Sequence, residues 1–231
     1  MQLFFLDKIQ DKIFLDKKES RHAIRILRKN KGDIISLTDG KGNLYDGEII
    51  LADINNCQVQ ITNISKQEKQ HKNYLHIAIA PTKNIDRFEW FLEKSTEIGI
   101  DEITPIICER SERKDIKIER SNRILLSAMK QSLKFYLPKL NNITSLQDLL
   151  NNQIEAKKKY IAHCHNLKKD KLKPINNKTS CLILIGPEGD FSDKEIKLAC
   201  KNNFQPVSLS TSRLRTETAG IVATHTINLN C

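Results

Sequence analysis

The chain of 231 residues lacks any run of about eighteen or more apolar residues, the length that a membrane-spanning helix requires. Its N-terminal stretch, MQLFFLDKIQDK, holds a short apolar patch without a basic leader before it or a small-residue cleavage site after it. We therefore expect no transmembrane helix, and we do not interpret this stretch as a signal peptide.

Paired cysteine motifs are also missing. Six cysteines, at positions 57, 108, 164, 181, 200 and 231, are scattered with no Cys-x-x-Cys pair. This pattern is typical of reduced, mostly buried thiols in a cytoplasmic protein. The stretch HCH would place His163 and His165 on one face of a strand. No third ligand is spaced to complete a metal site, so we expect none.

The motifs of several common enzyme classes do not occur. The chain contains neither G-x-x-x-x-G-K-[ST] nor G-x-G-x-x-G, so a P-loop or a dinucleotide-binding Rossmann site is poorly supported. No local signature joins a nucleophilic Ser, Cys or Thr to its His. Nucleophilic catalysis stays open, but no motif in the sequence supports it.

Acidic residues are outnumbered, and this excess of positive charge is the first feature that points to a partner. The chain has 28 Asp and Glu residues and 38 Lys and Arg residues, which gives a net charge of +10 and a pI of about 9.3. Such a balance favours a polyanion, most often nucleic acid, although a Lys-rich, AT-biased genome has the same effect. The basic segments 17–31, 110–123 and 163–174 are either solvated faces or parts of a contact with a nucleic-acid backbone.

The hydrophobic pattern divides the chain into two parts. Residues 1–69 contain short alternating pieces around the turn DGKGN and one helix-like stretch, which predicts a small β-barrel or sheet. Residues 65–73 are linker-like. From 70 to 231, strands and helices alternate, which predicts an α/β domain with a mostly parallel sheet. Ser192 and Glu195 predict a capping box at the start of one of its helices.

Two polar loops follow strands of the second part. GPEGDFS follows the buried strand SCLILI, and STSRLRTET joins the strand FQPVSLS to the last helix. Ligands of parallel sheets bind at the carboxyl ends of strands, so we expect the loops side by side. The glycines let a flat ligand approach the main chain, or they form a plain tight turn. The second loop offers the hydroxyls of Thr216 and Thr218, or it is a capped helix start with Arg213 and Arg215 on the surface.

These loops carry a family resemblance. LILIGPEGDFSDKEI together with LSTSRLRTETAGIVA resembles the paired C-terminal signatures of the ribosomal RNA small subunit methyltransferase E family. PTKNIDRFEWFLEKSTEIGIDEITPIICERS, and RHAIRILRKNKGD with LTDGKG, are similar to further parts of that family, so the resemblance spans nearly the whole chain. Asp190 and Ser210 stand where the family usually has Gly, and Lys130 stands where many members have Glu.

The resemblance implies a fold and an activity. Residues 70–231 would form a SPOUT-type methyltransferase domain, with a parallel sheet flanked by helices and a trefoil knot. Residues 1–69 would form a PUA-like RNA-binding β-barrel. The implied enzyme is a homodimer that uses S-adenosyl-L-methionine to methylate N3 of a specific uridine in the 16S rRNA of the small ribosomal subunit.

The resemblance also implies a cofactor pocket built largely from backbone. Its residues in this chain would be Ile185, Gly186, Pro187, Gly189, Leu209, Ser210, Leu214, Thr216, Thr218 and Ala219. No nucleophilic side chain is needed, because the sulfonium of the cofactor is already an activated methyl donor.

Uridine N3 carries a proton, and its loss spreads negative charge onto O2 and O4. A fixed cation would stabilise that charge, and we expect Arg215 in this role with Glu217 orienting it. The sequence identifies no general base. Contacts to RNA are expected at Arg21, His22, Arg25, Arg28, Lys29 and Arg110.

Two other functions stay open on the sequence alone. The chain could be a knotted methyltransferase acting on another rRNA or tRNA nucleotide, which the identity of the methylated product would reveal. It could also be a non-catalytic RNA-binding protein of the same fold, which a measurement of S-adenosylmethionine binding would reveal.

Overall fold

The computed structural model describes residues 2–6, 12–152, 155–165, 169–175 and 178–229. Its backbone divides into two compact units. Unit 1 comprises Met1–Lys69 and Met129–Leu137, and unit 2 comprises Gln70–Ala128 and Pro138–Cys231. Cys231 and part of the basic run 163–174 lie outside the described residues.

Unit 1 is a five-stranded sheet. Its strands are β1 (Leu3–Phe5), β2 (Lys12–Phe14), β3 (Ile34–Thr38), β4 (Asn43–Leu51) and β5 (Gln58–Lys66), in the order β1-β3-β4-β5-β2. β1 pairs with β3 in parallel, and the other pairs are antiparallel. The predicted turn DGKGN joins β3 to β4, with positive φ at Gly40 and Gly42. Alternation along the strands buries one apolar face, whose members include Phe4, Ile13, Ile35, Leu37, Tyr45, Ile49 and Val59.

The basic segment near the N-terminus is helical, but not uniformly α-helical as the pattern predicts. α1 (Lys17–Arg21) begins at Asp16, whose side chain accepts a hydrogen bond from the Glu19 amide, and a π-helix (His22–Ile26) follows it. Ala23 is fully buried against the sheet. Arg28, with φ 55°, ends the segment in the left-handed region. The apolar spacing predicts a helix here but not its π turn, because π turns are rare and have no side-chain pattern of their own.

Unit 1 is completed by a segment from the middle of the chain. Its residues Met129–Leu137 meet the β3–β4 turn: the Gly42 amide donates to the Phe135 carbonyl, and the Leu137 amide donates to the Gly40 carbonyl. Lys130 forms an ion pair with Glu19 in this unit. Lys130 therefore supplies a positive charge to a mostly buried carboxylate.

Unit 2 contains the predicted parallel sheet. Its strands are β6 (Tyr74–Ile79), β7 (Glu102–Ile107), β8 (Lys139–Leu140), β9 (Thr144–Ser145), β10 (Lys158–Ala162), β11 (Asp170–Lys171), β12 (Ser180–Ile185) and β13 (Gln205–Ser208). The order is β11-β13-β10-β12-β6-β7-β8, with β9 beside β7. All of these pairs are parallel within the part of the chain that the structure describes.

The helices of unit 2 follow from its apolar periodicity and its caps. They are α2 (Ile85–Ile98), α3 (Ile118–Gln131, whose last residues belong to unit 1), α4 (Leu146–Asn151), α5 (Asp193–Lys201) and α6 (Thr216–Asn228). The capping box of Ser192 and Glu195 at the start of α5 is confirmed. Gly220 brings α6 against α2, since a Cβ there would lie 2.6 Å from the ring of Phe91. This contact fixes the start of α6 beside the sheet.

The five described cysteines are free: Cys57, Cys108 and Cys181 are buried, whereas Cys164 and Cys200 are exposed. The expectation of mostly buried thiols thus holds for three of these five. No helix among the described residues is long and apolar enough to cross a membrane.

Candidate functional site

A cavity of about 740 Å³ opens at the carboxyl ends of three neighbouring strands of unit 2. Ala162, the last residue of β10, pairs with Ile185 at the end of β12 and with Val207 in β13. The chain therefore leaves the sheet at nearly the same level in three adjacent places. Eight of the ten cofactor residues expected from the sequence line this cavity: Ile185, Gly186, Pro187, Leu209, Ser210, Leu214, Thr216 and Ala219.

The first wall is the loop after β12. The Thr216 hydroxyl donates to the Gly186 carbonyl at 3.1 Å, which ties the start of α6 to this loop. A Cβ at Gly186 would lie 3.1 Å from the ring of Phe191, so glycine here makes room for the fully buried phenylalanine beneath the loop. Gly186 thus has a packing role as well, and its backbone still lines the cavity as the sequence predicts. Gly189 does not line the cavity; its Cβ position faces the Arg110 side chain.

The left-handed residue of this loop is Asp190, with φ 63°. Its carboxylate accepts hydrogen bonds from the Cys164 amide at 2.7 Å and the Phe191 amide at 2.8 Å. Aspartate tolerates positive φ better than most residues because its short side chain hydrogen-bonds nearby backbone. Asp190 therefore fits this left-handed position, and it links the loop after β12 to the segment after β10.

The second wall is the loop after β13. The Ser208 hydroxyl donates to the Ser210 carbonyl at 2.8 Å, and the Ser212 amide donates to the Ser210 hydroxyl at 3.2 Å. The Arg213 guanidinium reaches the Glu188 carbonyl in the first wall at 3.4 Å. The two loops face the same cavity as predicted, although β10 lies between their strands.

Arg215 stands at the junction of two cavities. It is exposed, precedes α6, and lines both the main cavity and a neighbouring one of about 320 Å³. Thr218 lines only the smaller cavity, together with Glu217 and Trp90. Glu217 is buried, and its nearest cation is Arg87, at 3.9 Å from Nε to Oε1. Among the described residues, no side-chain hydrogen bond or ion pair holds Arg215, so Glu217 does not orient it directly.

The floor of the main cavity contains residues that the sequence did not single out as ligands. β10 ends at Ala162, so His163 and His165 follow the strand instead of sharing one of its faces. His165 is held by the Phe191 carbonyl at 2.8 Å and the Asp193 carboxylate at 3.0 Å. Lys169 donates to the carbonyls of both histidines. The missing information was the strand order, which places this segment between the two predicted walls.

Among the described residues, no group of three or more His, Cys, Asp or Glu side chains is arranged to hold a metal ion. The main cavity is instead lined by backbone, hydroxyls, aliphatic side chains and charges of both signs. Such a lining suits an organic ligand that carries both apolar and charged groups.

The expected RNA-binding residues lie in both units. Arg21, Arg25 and Arg28 are exposed on unit 1, where His22 and Lys29 are half-buried. Arg110 is exposed on unit 2 and donates to the Gly189 carbonyl at 2.8 Å. Three of the six, Arg21, His22 and Arg25, thus lie in the helical segment, and Arg28 and Lys29 directly follow it.

Comparisons with known proteins identify the fold. Residues 67–228 match the family described as RNA methyltransferase domain, and residues 15–62 match the RNA methyltransferase PUA domain. The chain is therefore an RNA methyltransferase with an N-terminal PUA domain.

Individual proteins that resemble this chain over nearly its whole length are named as ribosomal RNA methyltransferases. Ribosomal RNA small subunit methyltransferase E of Mesomycoplasma hyopneumoniae is 29% identical over 228 residues, which cover 96% of each chain. The crystal structure of a probable rRNA-methyltransferase from Porphyromonas gingivalis is 40% identical over 99% of each chain, with a TM-score of 0.92. A ribosomal RNA small subunit methyltransferase E from Neisseria gonorrhoeae, bound to S-adenosyl methionine, is 26% identical over 97% of this chain and 95% of its own, with a TM-score of 0.86.

The chain belongs to the ribosomal RNA small subunit methyltransferase E family. This confirms the family and the fold class that the paired C-terminal motifs predict. The trefoil knot and the homodimer stay predictions.

Replacing Asp190 tests whether this residue holds the first wall. Asp190→Ala keeps the left-handed backbone and loses both hydrogen bonds, so we expect the free energy of unfolding to fall by about 2 kcal/mol. Asp190→Gly loses the same bonds but removes the strain, so its loss should be about 1 kcal/mol smaller. Denaturant unfolding of both variants measures the difference. Equal stability of the two variants would show that the positive φ carries no cost here.

Proposed function

We propose that this chain transfers a methyl group from S-adenosyl-L-methionine to N3 of a specific uridine in the 16S rRNA of the small ribosomal subunit. The observation that supports this most is the cavity between the loops after β12 and β13, in a chain whose relative of the same family is bound to S-adenosyl methionine. The family's paired motifs form the two walls of that cavity.

The lining fits this cofactor. About 740 Å³ is ample for a nucleoside with an amino-acid tail, and backbone groups alternate with the apolar side chains of Ile185, Leu209 and Leu214. Arg213 and Glu188 supply charges suited to the carboxylate and ammonium of the tail. When bound, the cofactor supplies an activated methyl group, so the protein has to supply position and charge stabilisation.

Arg215 is the proposed catalytic cation. It lines both the cofactor cavity and the smaller cavity, so its guanidinium can lie between the donor and a base that enters from the second side. A guanidinium there would stabilise the negative charge that deprotonation places on the uridine carbonyl oxygens. Trp90, half-exposed in the smaller cavity, offers a ring on which a base can stack.

Glu217 has a different role from the direct partner of Arg215 that the sequence suggested. Its buried carboxylate lies beside Arg87 in the smaller cavity. We propose that it is a positioning residue, which holds Arg87 and the first turn of α6 so that Arg215 projects between the two cavities. Gly189 and Thr218 do not line the main cavity. Gly189 accepts a hydrogen bond from Arg110, and Thr218 lines the smaller cavity.

The two domains would divide the work. Residues 1–69 would bind RNA, with the exposed arginines of the basic segment on phosphates, and residues 70–231 would bind the cofactor and carry the reaction. A homodimer in the cytoplasm is the form that we propose for the active enzyme.

Mapping of modified uridines tests the proposed function. Digested 16S rRNA from cells with and without this protein is compared by mass spectrometry, with fragments sequenced around each methylated uridine. We expect one N3-methyluridine to disappear without the protein and to return with the wild-type gene. Loss of a ribose-methylated or guanine-methylated nucleotide would instead assign a different substrate, and an unchanged map would point to a non-catalytic protein.

Substitution of Arg215 tests its role in the chemical step. Arg215→Ala should lower the single-turnover methylation rate by roughly a hundredfold or more, the scale of losing one preorganised donor, and leave cofactor affinity nearly unchanged. Arg215→Lys should restore the rate only in part, because a point charge lacks the planar fork. If Arg215→Ala instead melts at a lower temperature with near-normal turnover, the residue is structural.

The salt dependence of RNA binding tests the basic segment. Replacing Arg25 with Gln and Arg28 with Asn, which tolerates the left-handed backbone at that position, removes two charges. Two phosphate contacts fewer should flatten the slope of log K against log salt by roughly 1.4 to 1.8. Lys194→Ala with Lys197→Ala removes two exposed charges from α5 as the matched control. If the two double variants gave equal slopes, the basic segment would be a solvated surface that does not contact RNA phosphates.

A further inference from the structure

His163 lines the main cavity and belongs to the segment after the middle one of three neighbouring strands. It follows directly after β10, whose last residue pairs with β12 on one side and β13 on the other. The walls that follow these two strands therefore rise on either side of His163, and the residue lines the cavity between them.

The imidazole of His163 is buried, and nothing in the described part of the chain hydrogen-bonds it. The residue is 6% exposed, and neither ring nitrogen has a hydrogen-bond partner among the described residues. Its neighbour His165, by contrast, is bonded through both nitrogens, to Phe191 and Asp193. A buried polar group without a partner destabilises a fold, so its presence beside a cavity indicates a partner that arrives with a ligand.

The surroundings of His163 keep its ring neutral. Burial lowers the pKa of His163, the nearby Lys169 and His165 act in the same direction, and Asp190 opposes them. A neutral imidazole offers one donor and one acceptor. It also adds no positive charge to a cavity that would hold a sulfonium cation.

We propose that His163 is a further cofactor-binding residue, whose neutral imidazole hydrogen-bonds the adenosine part of S-adenosylmethionine. This inference rests on the proposed function. The methionine end of the cofactor carries a carboxylate and an ammonium, which are matched by Arg213 and Glu188. Adenine carries an amino donor and ring-nitrogen acceptors, and a neutral imidazole can pair with either kind of group. Because the two imidazole nitrogens point away from each other, only one of them makes this contact.

Both ring nitrogens of His163 are covered in this structure, so the proposed contact requires one wall to shift when the cofactor binds. The loop after β13 is the wall that is held less tightly. It is stabilised mainly by its own serines, and the 3.4 Å contact from Arg213 to the Glu188 carbonyl is long for a hydrogen bond. The wall after β12 is held by Asp190, Thr216 and Arg110.

The proposal predicts opposite effects on stability and on binding. His163→Leu removes two unpaired buried nitrogens, so the ligand-free variant should melt at or above the wild-type temperature. The same change leaves the adenosine edge unpaired, so the dissociation constant for S-adenosylmethionine should rise by roughly tenfold or more. His163→Gln keeps one donor and one acceptor and should recover part of the affinity. His225→Ala, on the exposed face of α6, is the control.

Calorimetry with two probes locates the contact on the cofactor. 5′-Deoxy-5′-methylthioadenosine has the adenosine part without the amino-acid tail, so His163→Leu should weaken it by the same factor as S-adenosylmethionine. The assignment would be overturned if the folded His163→Leu variant bound both probes with unchanged affinity. It would also be overturned if His163→Gln bound them as weakly as His163→Leu and melted at a lower temperature than the wild type. Weakening of S-adenosylmethionine alone would place His163 at the methionine end and also overturn it. A wild-type protein that binds neither probe would contradict the proposed function itself.

Discussion

The parallel pairing of β10 with both β12 and β13 is the constraint on which the site depends. Ala162 is level with Ile185 and Val207, so the chain leaves three neighbouring strands at the same edge of the sheet. Backbone hydrogen bonds of a parallel sheet set this level, and one residue of slippage would turn the side chains of a strand to the other face. The position of the cavity is thus determined first by the register of these strands, and the polar side chains add to an opening that the register has already formed.

Polar contacts then hold the loops in place. The loop after β12 is tied to three neighbours: Thr216 bonds it to α6, Asp190 to the segment after β10, and Arg110 to the segment after β7. Each contact joins a side chain to a backbone group. A loop fixed in this way presents its own backbone at defined positions, which suits recognition of a ligand by main-chain groups.

Much of this arrangement could be predicted from the sequence, since its elements are encoded locally. The alternation of strand and helix predicts the parallel sheet of unit 2, and Ser192 with Glu195 predicts the start of α5. The paired motifs predict eight residues that line the cavity.

The remaining features depend on contacts between distant segments. The position of His163 requires the strand order, in which β10, β12 and β13 are neighbours out of sequence. The return of Met129–Leu137 to unit 1 requires contacts with Gly40 and Gly42. Gly186 illustrates a third case: its lack of a side chain serves Phe191 below the loop, which residue type alone does not reveal.

The central claim is that the walls after β12 and β13 enclose S-adenosylmethionine. A crystal structure of this protein grown with the cofactor tests it directly. The account predicts density for the adenosine between the Gly186–Pro187 backbone and the Leu209–Leu214 loop, with the methyl group directed towards Arg215. Cofactor density in the smaller cavity beside Trp90, or an empty main cavity at saturating cofactor, would contradict it.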